Sequence, residues 1–88
     1  MNYLQSEVST HPGDIVEVTL HGNAANVLIL DSSNFLKYQH GKSFTYFGGH
    51  YKMSLVRIRP PAGNWHVVVD LGGRTGTVKA AVRVIRNR

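Results

Sequence analysis

At 88 residues, with a formal net charge of +5 and no cysteine, the chain has room for one domain and none for disulfides, thiol catalysis or cysteine-based zinc sites. No apolar run approaches the roughly 18 residues of a membrane span, and the start, MNYLQSEVST, lacks the basic and apolar regions of a secretory signal. The charge is uneven: Glu7, Asp14, Glu17 and Asp31 precede every base, and all ten Lys and Arg follow against Asp70 alone.

Turn-forming residues recur every ten positions or so, the spacing of a sandwich or barrel. Tyr3–Glu7 is expected as a short first strand. His11-Pro12-Gly13-Asp14 turns the chain, because Pro fixes φ and Gly permits φ > 0. Asp14–His21 then alternates, with Val16, Val18 and Leu20 inward. Gly22-Asn23 signals a hairpin into a return strand, Asn26–Leu30, with Val27 and Ile29 on one face and Leu28 and Leu30 on the other. Asp31-Ser32-Ser33-Asn34 bonds readily to local backbone. It either caps one helical turn over Phe35–Gln39, stopped at Gly41, or forms an irregular loop.

Lys42–Phe47 is expected as a strand, and Gly48-Gly49 as a turn. Tyr51–Arg59 follows as a strand with Val56 and Ile58 inward, ended by Pro60-Pro61. Gly63–Gly73, GNWHVVVDLGG, holds a strand over Trp65–Leu71. Trp65, Val67, Val69 and Leu71 fall on one side, and His66, Val68 and Asp70 on the other. A strand apolar on one side and partly apolar on the other is expected in the middle of a sheet. Gly72-Gly73 signals another hairpin, Thr77–Ile85 closes the domain, and residues 86–88 form a frayed tail. The whole reads as an all-β fold. It is a single antiparallel, jelly-roll-like sandwich over residues 1–88, with about seven strands. Trp65, Val67, Val69, Val16, Val18, Val27, Ile29, Val56, Ile58, Val78 and Val82 are its expected core.

Little points to chemistry. The five histidines include no i, i+2 or i, i+4 pair, so no metal is expected, and His40, His50 and His66 would be the first ligands to examine if one were found. Ser32, Ser33, Ser43 and Ser54 have no base at a defined spacing, and carboxylates are scarce, so no catalytic residue or cofactor is assigned. GGRTG at Gly72–Gly76 lacks the Gly-Lys-Ser/Thr ending of a phosphate loop. The best positive signal is aromatic. Tyr38, Tyr46, His50 and Tyr51 form a candidate binding set, because rings beside polar groups suit sugars or bases. Arg57, Arg59, Lys79 and Arg83 form a candidate basic face, able to meet phosphates only if their two strands are neighbours.

GNAANV (Gly22–Val27), LDSSNF (Leu30–Phe35), YFGGHY (Tyr46–Tyr51) and GNWHVVVDLGG together resemble a bacterial family of small all-β domains of unknown function. The likeness runs from about Tyr3 to Val84. The resemblance implies a stand-alone protein or an N-terminal module, sometimes beside Toll/interleukin-receptor-like (TIR) domains, and brings no site residues with it. The layout is also similar, as fold analogy only, to GOLD-type and pre-peptidase C-terminal sandwiches. The expectation is therefore a non-enzymatic recognition module of the cytoplasm, with a protein or small-ligand partner in preference to nucleic acid. The alternatives are a nucleic-acid-binding domain using the basic C-terminal half and, more remotely, a small hydrolase.

Overall fold

The computed structural model describes residues 3–52 and 55–87. Its elements are β1 (Tyr3–Thr10), β2 (Ile15–Gly22), β3 (Ala25–Leu30), α1 (Ser32–Gln39), β4 (Phe47–Tyr51), β5 (Leu55–Ile58), β6 (Gly63–Asp70) and β7 (Val78–Ile85). The strands form two antiparallel sheets, one of four strands in the order β1-β6-β3-β4 and one of three in the order β5-β2-β7. β6 is central, between β1 and β3, in keeping with Val67 and Val69 buried on one face and Val68 on the other.

The core lies between the sheets. Val16, Val18, Leu20, Ala25, Val27, Ile29, Val56, Val67 and Val69 are buried there. Trp65, Ile58, Val78 and Val82 pack against them while half-exposed, being near sheet ends or on the edge strand β7. A second cluster covers the outer face of the four-stranded sheet. Leu28, Leu30 and Val68 meet Tyr38 of α1, with Tyr3, Phe35 and Phe44 around them.

The local signals for α1 hold, and the helix is longer than one turn. Asp31 is the N-cap, and its Oδ1 accepts from the Asn34 amide at 2.8 Å. At the other end Gly41 adopts φ +68. Lys42 N donates to Lys37 O at 2.9 Å and Gly41 N to Tyr38 O at 3.2 Å, the paired bonds of a Schellman stop.

Five expectations about turns and strands are corrected. Gly22-Asn23 and Gly72-Gly73 are not hairpins, because the strands on either side belong to different sheets. Alternation shows which residues face a core and not whether two strands share a sheet. The two corners instead clasp each other. Asn23 N donates to Thr77 O at 2.9 Å, and Thr77 N donates back to Asn23 Oδ1 at 3.0 Å. Gly48-Gly49 is not a turn but lies inside β4, opposite Leu28 and Val27. Gly48 has φ +127, and a Cβ there would collide with the carbonyl of Val27. Lys42–Tyr46 is not in a strand, because the Thr45 amide is taken at 2.8 Å by the Asn34 side chain. The expected strand Tyr51–Arg59 is divided between β4 and β5, and Met53 and Ser54 lie outside the described residues, as does Arg88 of the expected tail.

Val67→Ala is expected to cost about 1–3 kcal/mol in urea unfolding, through lost methyls and an unfilled cavity. Gly48→Ala should cost a similar amount through backbone strain. Gly49→Ala, with open space around it, should change stability by less than about 0.5 kcal/mol.

Candidate functional site

The register places Tyr3, Asp70, Asn26 and His50 in one row across all four strands of the larger sheet. They stand on its outer face, where Tyr3 packs under α1 and Asn26 and His50 lie beyond it. Asp70 is 5% exposed, and a buried carboxylate needs partners for its lone pairs. Its Oδ1 accepts from Asn26 Nδ2 at 2.8 Å and from the Gly72 amide at 2.9 Å. Its Oδ2 accepts from the Tyr38 hydroxyl at 2.5 Å. Burial, and then the bond to Asp70 and its charge, hold Tyr38 well above the ordinary phenol range. Asn26 Oδ1 lies 3.1 Å from His50 Nδ1.

Asp70, Asn26 and His50 of this row form the floor of an open groove of about 400 Å³ between β4 and the segment after α1. Lys42, Phe44 and Tyr46 line its other side. The rings run as a ladder from inside to outside: Tyr38 meets Phe44 edge-on at 5.4 Å, and Phe44 meets Tyr46 at 5.6 Å. Tyr46, at the outer end, is 44% exposed. The structure thus brings together Tyr38, Tyr46 and His50 of the expected binding set. Tyr51 is not with them, for it pairs with Ala25 and packs into the core between the sheets. Sequence reasoning missed Asn26 and Asp70. Their signal is a polar residue, of a type depleted in strands, beside the apolar runs at residues 27–30 of β3 and 67–69 of β6.

A second constellation sits near the start of α1. His66 Nε2 is 3.2 Å from Ser32 Oγ, and Phe35 stacks on the imidazole with ring centroids 4.3 Å apart. The Glu7 carboxylate approaches His66 Nδ1 only to 3.8 Å, and the Gln5 amide nitrogen is closer, at 2.9 Å. A nitrogen donating to Nδ1 leaves the imidazole proton on Nε2, so His66 donates to Ser32 rather than drawing its proton. Serine activation needs the opposite tautomer, oriented by an acceptor. His40 and His50 are exposed and apart from His66 in the fold, and the described residues hold no group of three or more His, Cys, Asp or Glu arranged for a metal ion.

The expected basic residues stand on the outer face of the three-stranded sheet or just beyond it. Arg57 is on β5, Lys79 and Arg83 are on β7, and Arg59 follows β5. β2 lies between the two strands, so they are not neighbours. Glu17, opposite both Arg57 and Arg83, is 4% exposed beneath them. Arg83 Nε donates to its Oε1 at 2.6 Å, and Arg57 Nε to its Oε2 at 2.9 Å. These bonds, that of Arg83 first, hold Glu17 below the ordinary carboxylate range, and Glu17 in turn raises Arg83. Asp14 is held lower still, by the Asn87 and His11 amides and then by Arg86. It ties residues 86 and 87 to the β1–β2 turn at 2.8 Å each.

A family model described as "Domain of unknown function (DUF1883)" matches residues 1–88. No curated protein and no solved structure matches the chain.

The two depressed carboxylates set an acid limit. Both favour the charged form more in the folded chain than in the unfolded one, so their stabilisation is complete above the unfolded values, about pH 4. It is lost as pH falls from there through the folded values. The melting temperature should therefore drop below about pH 4. Glu17→Gln and Asp14→Asn should each lower it at neutral pH and flatten the acid drop, as followed by circular dichroism.

Proposed function

Because the chain belongs to the DUF1883 family of domains of unknown function, we propose its role from the groove. The domain is a non-enzymatic recognition module that takes a small ring-containing ligand between β4 and the Lys42–Tyr46 segment. One observation carries this reading. Asp70, Asn26 and His50 form a hydrogen-bonded line that orients an imidazole beside an exposed tyrosine ring. Small-ligand sites combine apolar walls with a few polar groups held in place, and this groove has both.

The non-enzymatic part draws on the Ser32–His66 pair, whose third partner at hydrogen-bond distance is an amide rather than a carboxylate. The preference over nucleic acid draws on Glu17, which stands between the two arginines that would have met a phosphate together. No helix of the described residues is long and apolar enough to cross a membrane. The reading sets the module in a bacterial cytosol, alone or beside a TIR-like domain. The cysteine-free composition suits a reducing compartment.

A fragment screen by ¹H–¹⁵N correlation spectra tests the reading, with sugars, nucleosides and small aromatic compounds at millimolar concentration. Shifts should cluster at Asn26, Lys42, Tyr46, Gly49 and His50. Tyr46→Ala should weaken the best hit about tenfold or more, the worth of one stacked ring. Hits confined to other surfaces would end the proposal. Duplex DNA binding with a log–log salt slope of about −3 to −4, as four phosphate contacts require, would put the nucleic-acid alternative in its place.

A further inference from the structure

Asn26 determines what the groove offers to a ligand. Its amide has a carboxylate oxygen on one side, Asp70 Oδ1, at 2.8 Å from Nδ2. A carboxylate accepts, so the amide nitrogen must face it. The amide oxygen is then left facing His50 Nδ1 at 3.1 Å. An amide oxygen only accepts, so the imidazole proton sits on Nδ1. Neutral His50 therefore presents Nε2 as a bare acceptor, and Nε2 has no partner among the described residues. Across the same groove the Lys42 ammonium, a donor only, also has no partner among the described residues. Tyr46 adds an exposed aromatic face to the lining of the same groove.

From this we infer that the groove binds a neutral hydroxylated ring of the pyranose type, an inference that rests on the groove being the binding site. A hydroxyl both donates and accepts. Neighbouring hydroxyls of one ring can donate to His50 Nε2 and accept from Lys42, while the apolar C–H face of the ring lies on Tyr46. A carboxylate or a fully ionised phosphate ester only accepts. Either would satisfy Lys42 and set its lone pairs against the lone pair of Nε2. A flat hydrocarbon ring would stack on Tyr46 and use neither polar group.

The test uses the full chain labelled with ¹⁵N. Long-range ¹H–¹⁵N spectra of the imidazole should show His50 protonated at Nδ1, and the opposite tautomer would overturn the inference. Methyl glucoside, methyl mannoside and N-acetylglucosamine are then titrated to millimolar concentration, with inorganic phosphate and adenosine monophosphate as acceptor-bearing probes. The expected result is a shift of His50 Nε2, Asn26 and Tyr46 with at least one pyranoside and no groove shift with phosphate. His50→Phe, which keeps a ring and removes the acceptor, should weaken that pyranoside about tenfold or more while its spectrum stays folded. Lys52→Ala, outside the groove, should leave it unchanged. Groove shifts with adenosine monophosphate and with no pyranoside would overturn the ligand class and leave the groove as the site. No groove shift with any probe would overturn both.

Discussion

Two strands of this domain bury side chains on both of their faces. β3 carries apolar side chains on both sides from Val27 to Leu30, and β6 buries Val67 and Val69 on one side and Val68 on the other, so each must be covered twice. The three-stranded sheet covers one side with β2 at its centre, and α1 covers the other. An eight-residue helix has little stability of its own in water. Here it is held by Asp31 at its start, by the turn at Gly41, and by Phe35 and Tyr38 on the sheet. The groove follows from the same constraint. α1 is too short to cover the whole outer face. Where it ends, the sheet turns polar at Asp70, Asn26 and His50.

Asp70 joins that cover to the rest of the fold. Its two oxygens take donors from α1, from β3 and from the corner after β6. Leaving any one unmade would strand a buried charge or a buried hydroxyl, which costs more than the bond itself contributes. The floor of the groove is thus fixed by the same bonds that hold the helix. Its outer parts, Tyr46, Lys42 and the free edge of His50, carry no such load. That division suits a site with a rigid base and groups free to meet a ligand.

The remaining buried carboxylates obey the same rule on the other sheet and at the chain end. Glu17 and Asp14 are covered and each is met by arginine. The acidic first half of the sequence and the basic second half therefore meet in the fold. β2 brings its acid between two basic strands, and the β1–β2 turn receives residues 86 and 87. A charge asymmetry that reads in the sequence as an exposed basic surface is partly an internal pairing.

The sequence by itself determined the class, the positions of most strands and most of the core between the sheets. Alternation of valines and isoleucines is a property of neighbouring residues, and burial of one face demands it wherever the strand goes. The Asp31 cap and the Gly41 stop were legible for the same reason, as contacts within a few residues. Tyr38, Tyr46 and His50 were legible as a set from their residue types, though not Tyr51, which a single step of pleat turns to the opposite face. Strand order was not legible, because Gly22-Asn23 and Gly72-Gly73 carry the same chemistry whether the chain returns beside itself or crosses to the facing sheet. Only the tertiary structure decided that Asp70 meets Asn26 across 44 positions and Tyr38 across 32, and that Glu17 meets Arg83 across 66. Those pairings depend on which strands lie side by side, and no local preference of the chain encodes that.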